Sequence, residues 1–140
     1  MRFWDTSAVV PLLINERAGA PLIAADAKSQ MVVWWGTVVE AASAIARQER
    51  TGVLSGEQVV HCLDTLQELS TAWLEVAPSD ALRRTAQRLL RVHALKAADS
   101  LQLAAALAAA GERTDAIDFI CCDARLSEAA AREGLKVRAA

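Results

Sequence analysis

Five short apolar runs, at 2–4, 31–35, 73–76, 118–121 and 135–138, are spaced along the chain between longer segments rich in helix formers. Each run draws on Val, Ile, Phe and Trp and is too short for a core helix, so each reads as a strand. The segments between them, 7–15, 18–28, 37–50, 56–70, 79–93, 96–110 and 124–132, have helical periodicity or strong helix propensity. Strands that alternate with helices must return across the sheet each time. The expected architecture is therefore α/β: a three-layer α/β/α sandwich around a five-stranded, mostly parallel sheet covered on both faces. The punctuation agrees, with Gly52, Gly111 and Gly134 after helix ends and Ser55 and Pro78-Ser79-Asp80 offering starts.

A length of 140 residues suits one domain, 1–140, burying roughly 68–70% of its unfolded surface without disulfide or metal staples. Hydrophobic residues make up 54% of the chain, above the roughly 45–50% of soluble domains, so apolar surface should be left over for a partner or a second copy. The longest unbroken apolar run, Leu103 to Ala110, is far short of the roughly 20 residues that span a bilayer, and the N-terminus lacks a signal-peptide layout. A cytoplasmic protein without membrane contact is expected.

Three cysteines, with Cys121 and Cys122 adjacent, make a poor disulfide framework and show no zinc spacing; all three are expected to be small, buried and reduced. The four tryptophans, Trp4, Trp34, Trp35 and Trp73, fall on expected strands, which favours core packing over base stacking. There is no GxxxxGK, GxSxG or HExxH motif, and His61 and His93 read as surface residues. A net charge of −2 gives no general attraction to phosphate. Nucleic-acid binding would need a local basic patch or bridging cations, and segment 79–93 offers Arg83, Arg84, Arg88 and Arg91, which read either as a solvated face or as a track for a phosphate backbone.

The acids carry more information. In an open parallel sheet, ligands bind outside the carboxyl ends of the strands, where Asp5 ends the first strand and Asp123 the fourth. Each could instead cap the helix that follows. Asp99 shares a helical stripe with Leu95, Leu103, Ala106 and Ala110. A carboxylate there needs a cation, a hydrogen-bond network or a cleft. Glu40 lies with Gly36, Ser43, Ala44 and Arg47, opposite Val38, Ala42 and Ile45, and periodicity alone makes it a solvated glutamate.

Four blocks, DTSAVVPLL, VVEAASAIAR, LKAADSLQLAAAL and FICCDARLSEAAAREGLKV, occur in this order over nearly the whole chain. Together they resemble the PIN domain in its VapC-type toxin form. The resemblance implies a metal-dependent ribonuclease, and it assigns Asp5, Glu40, Asp99 and Asp123 to the catalytic and metal-binding set. It also implies a homodimer held in check by a cognate antitoxin protein. Many relatives carry Thr or Ser two residues before the last acid, where this chain has Cys121, a poorer hydrogen-bonding partner for tuning Asp123.

Carboxylates a few ångströms apart repel by about 4 kcal/mol per pair at an effective dielectric of 20, so such a cluster calls for divalent cations or protons. Oxygen ligands select a hard ion, Mg2+ or Mn2+. Asp5, Asp99 and Asp123 are expected to bind it directly, and Glu40 to complete the shell or position water. Thr6 and Ser7 are expected to cap the first helix or orient metal-bound water. Arg84, Arg88 and Arg91 are candidates for RNA contact. The alternative is a catalytically inactive PIN-fold module that binds RNA or protein.

Overall fold

The structure, a computed structural model, describes residues 1–15 and 29–139; the helix expected at 18–28 lies outside them. Strands β1 (Arg2–Trp4), β2 (Met31–Trp34), β3 (Leu74–Val76), β4 (Asp118–Ile120) and β5 (Lys136–Arg138) form one sheet. Its order is β3-β2-β1-β4-β5 and every pairing is parallel. The described helices are α1 (Thr6–Ile14), α2 (Thr37–Arg50), α3 (Gly56–Ala72), α4 (Asp80–Val92), α5 (Ala97–Ala110) and α6 (Ala124–Arg132), with a short 3-10 turn at Thr114–Ala116.

The side-chain alternation of a strand explains how both faces are filled. Phe3, Val32, Trp34 and Phe119 point to one side, where they pack with Leu82 and Leu89 of α4, Leu103 of α5 and Leu126 of α6. Trp4, Val33 and Ile120 point to the other and meet Val9 and Leu12 of α1, Ile45 of α2 and Leu66 of α3. The rings of Phe3 and Phe119 stack across the β1–β4 pairing with centroids 5.8 Å apart. A strand with two buried faces must be apolar at successive positions, and for that reason the central strands read as unbroken apolar runs.

Side-chain caps set several helix starts. Asp5 accepts from Ser7 N, Ser55 and Gln58 form a capping box, Ser79 accepts from Leu82 N, and Asp123 accepts from Leu126 N. At the far end of α5, Gly111 takes a positive φ of 62°, which a side chain would oppose.

Some expectations are corrected. The strands expected at 31–35, 73–76, 118–121 and 135–138 each lose one residue, because backbone pairing ends before the apolar character does. Trp35 and Trp73 therefore lie off the strands, and Trp35 is exposed while the other three tryptophans are buried. Cys122 is exposed, since it follows the end of β4. His93 is not a surface residue: its ring is buried and lies 2.8 Å from Glu133 Oε1. Among the described residues, no helix is long and apolar enough to cross a membrane.

Candidate active site

α1, which follows β1, and α2 and α3, between β2 and β3, pack on one face of the sheet, whereas α4 and α5, between β3 and β4, and α6, between β4 and β5, pack on the other. The chain thus leaves β1 and β4, which are neighbours, towards opposite faces. A crevice opens where such connections diverge, beyond the carboxyl ends of the strands. Asp5 follows β1 and Asp123 follows β4, so they flank that crevice, and the backbone N–H of Asp5 donates to Ile120 O at 3.0 Å.

Asp5 is buried, and Ser7 N donates to its Oδ2 at 2.9 Å. Burial pushes its carboxyl above the ordinary range against the pull of the Ser7 hydrogen bonds, and the charges of Glu40 and Asp99 push the same way. Asp99 occupies the first turn of α5, the end of a helix that favours negative charge. Its carboxyl is nevertheless raised, first by burial and then by the charge of Asp123, with Lys96 opposing. Repulsions linking Asp5 to Glu40 and Asp99, and Asp99 to Asp123, tie four acids from four elements into one electrostatic unit.

Glu40 is half-buried rather than solvated as its periodicity suggested. Its Oε2 accepts from Thr6 Oγ1 at 2.5 Å and from Gln102 Nε2 at 2.7 Å. Because a carboxylate only accepts, Glu40 fixes which way the Gln102 amide turns. The same Nε2 lies 2.7 Å from Thr6 Oγ1 and 3.1 Å from Thr37 Oγ1. Gln102 is buried and binds the starts of α1 and α2 to α5, a role the sequence reading missed. A signal was present: in the alanine-rich α5, Gln102 sits three residues after Asp99, on the same helical face.

Neither Thr6 nor Ser7 caps α1, because Asp5 takes that place; Thr6 instead holds an acid, and Ser7 Oγ accepts from Cys122 N at 2.9 Å. Cys121 does take part in hydrogen bonding. Asp123 N donates to its Sγ at 3.3 Å, and Sγ lies 3.7 Å from Asp5 Oδ2. Burial, then the charge of Asp5, pushes the thiol up, which keeps it a thiol rather than a thiolate ligand.

The donor set is all oxygen, the chemistry of a hard divalent ion. Among the described residues, no group of three or more His, Cys, Asp or Glu side chains is gathered closely enough to enclose a metal. Magnesium does not require enclosure, because it usually takes one or two carboxylates and keeps several waters. Gln102 Oε1, buried without a hydrogen-bond partner beside Glu40, is an acceptor such water could use. The residues therefore fit a hydrated divalent cation.

The basic residues are placed differently. Arg88 donates to both Glu133 oxygens, at 3.2 and 2.8 Å, and Glu133 follows the end of α6 opposite its Asp123 cap. Arg84 and Arg91 are exposed on α4. Asp118, at the start of β4, faces Arg2, Lys136 and Arg138 within 3.6–3.8 Å and stands at the opposite end of the strand from the acids.

No protein-family model matches the chain, and no curated protein matches it by sequence. Its fold is similar to that in the crystal structure of FitAcB from Neisseria gonorrhoeae, with a TM-score of 0.65 at 16% identity, over 98% of this chain and 96% of that one. The likeness is one of architecture, and the five-stranded parallel α/β sandwich is PIN-like.

Proposed function

We propose that this chain is a metal-dependent endoribonuclease that hydrolyses RNA phosphodiester bonds and serves as the toxin of a type II toxin–antitoxin pair. The observation that carries the reading is the meeting of buried Asp5 with Glu40, Asp99 and Asp123 at the crevice between β1 and β4, where like charges repel. Nothing in folding asks for such repulsion, whereas a cation-dependent site does. The blockwise resemblance to VapC-type toxins and the PIN-like fold support the same conclusion.

One or two of Asp5, Asp99 and Asp123 would hold Mg2+ or Mn2+ directly, and the remaining acids with Glu40 would meet it through its waters. When bound, the ion supplies charge neutralisation at the phosphate and a more acidic water for in-line attack. The protein's own part is positional. Ser7 N holds the Asp5 carboxylate, Leu126 N holds Asp123, and Thr6 with Gln102 fixes Glu40 Oε2. Glu40 then stands ready to orient the attacking water and accept its proton. An antitoxin would inhibit by covering the crevice, and a basic side chain offered to the acids is the electrostatically favoured way. Exposed apolar residues such as Val39 and Leu63 are available to an antitoxin or to a second copy of the chain.

Asp99→Asn should fold normally and lower magnesium-dependent cleavage of total cellular RNA at least 100-fold, read by mapping new ends. A variant that cuts at the wild-type rate overturns the assignment. The open arrangement of the acids favours one other reading, an inactive PIN-fold module that binds RNA or protein. Calorimetry with manganese separates them: the nuclease takes up the ion at the acids, and Asp99→Asn weakens that uptake, whereas the inert module shows no uptake that depends on Asp99.

A further inference from the structure

Trp4, Trp34 and Trp73 are 2, 7 and 6% exposed, but Trp35 is 57% exposed. A large indole held in water needs a reason, because burying it would be favourable. The ring is not loosely tethered. The backbone N–H of Trp35 donates to Val76 O at 3.1 Å, and its ring meets Trp34 edge to face with centroids 6.3 Å apart. Beside it lies a cavity of about 380 Å³ lined by Trp34, Trp35, Ser79, Asp80, Arg83 and Leu101, within the size range of small-ligand sites.

The cavity's place matters as much as its lining. Trp35 and Ser79 lie beyond the carboxyl ends of β2 and β3, on the rim that carries the acids. Leu101 precedes Gln102, whose amide holds Glu40. Trp35 stands five residues before Glu40, with Gly36 already in helical backbone. Both residues therefore belong to the N-terminal end of α2. Asp80 and Arg83 pair with each other and are largely exposed, so the wall offers both an acceptor and a donor to a base edge.

We propose that Trp35 and this cavity form a nucleobase subsite, in which one unpaired base of the RNA stacks on the indole at the rim that carries the acids. The inference rests on the ribonuclease reading and narrows its substrate to RNA that is single-stranded beside the cut, because a base within a duplex is already stacked. The charge pair in the wall and the shared rim with the acids favour a base over an apolar protein segment.

The test is a titration of the whole protein, in EDTA so that no cleavage occurs, with single-stranded and duplex RNA oligomers of one sequence. Single strands should quench the red-shifted emission of the exposed indole and duplex should not. Trp35→Ala should weaken single-strand binding about 5- to 150-fold, the range for losing one base stack. Trp35→Phe should recover affinity to within a few-fold of wild type, and Val39→Ser, on the neighbouring exposed surface, should leave it unchanged. Wild-type affinity in Trp35→Ala, or equal quenching by duplex, overturns the subsite. An effect of Trp35→Ala on self-association alone also overturns it, because the ring then serves a second copy of the chain. If wild type cleaves RNA in magnesium and Trp35→Ala binds and cleaves as well, the subsite fails and the nuclease stands. If wild type neither binds nor cleaves, the nuclease reading fails first.

Discussion

Asp99 stands in the first turn of α5, where the helix dipole welcomes a carboxylate, yet burial and Asp123 raise its carboxyl above the ordinary range. Asp5 is raised for the same first reason. When an acid's folded value lies above its unfolded one, the native state holds more protons through that window, and stability falls as pH rises across it. The metal-free protein therefore carries its full carboxylate penalty at neutral pH and sheds it in acid. Asp99→Asn should raise the neutral melting temperature of metal-free protein, and the gain should shrink as pH falls to the unfolded carboxylate range. Scanning calorimetry at several pH values checks this; a gain independent of pH refutes it. Of this acid set, Asp5, Asp99 and Asp123 could be singled out because a carboxylate at a strand end or in an apolar stripe looks misplaced. Glu40 could not, because its burial comes from Thr6 and Gln102, which are 34 and 62 residues away. Gln102 escaped for a related reason: its bonding partners sit on other helices.

The turn after β2 shows how closely an element can be specified. Gly36 packs so tightly on Trp34 that a Cβ there would meet Nε1 at 2.6 Å and Cδ1 at 3.1 Å. Trp34 is buried and its ring cannot bend away as a flexible chain end could. Gly36→Ala should cost about 1–3 kcal/mol, measured by urea unfolding, and should disturb Trp35 next door. No loss of stability would show that the Trp34 ring has room to move. Helix ends were readable because capping residues act within one turn: Ser55 with Gln58 and Ser79 with Leu82 are local matters. Strand ends were not, since pairing stops where a neighbouring strand stops offering partners, and the apolar run continues beyond it. Arg88 makes a similar point for α4. Its bond to Glu133 draws that acid's carboxyl below the ordinary range, with His93 helping, so this contribution is present at neutral pH and lost as pH falls through the lowered value. Arg88→Ala should cost about 1 kcal/mol, discounted for an exposed arginine, and the loss should fade in acid. A change in RNA affinity with no change in stability would place Arg88 on the substrate surface instead.

For the molecule as a whole, the proposed ribonuclease would have to bring a polyanion to a chain of net charge −2 with acids at its crevice. Exposed Arg84 and Arg91 are the α4 cations free of the Glu133 and Asp80 pairings described above. If they follow the RNA backbone, the logarithm of affinity should fall linearly with that of salt, and removing either arginine should reduce the slope by about 0.7. Filter binding across a salt series measures it, and an unchanged slope in both variants rules the track out. Layer order, the parallel sheet and most helix bounds were legible in the residues because periodicity and capping are local, acting over a few positions. The acid cluster, the exposed indole of Trp35, the inward Gln102 and the tie from Arg88 to Glu133 were settled by the meeting of distant segments. Which carboxylates repel, and which rings lose their water, depends on neighbours that the order of residues along the chain does not name.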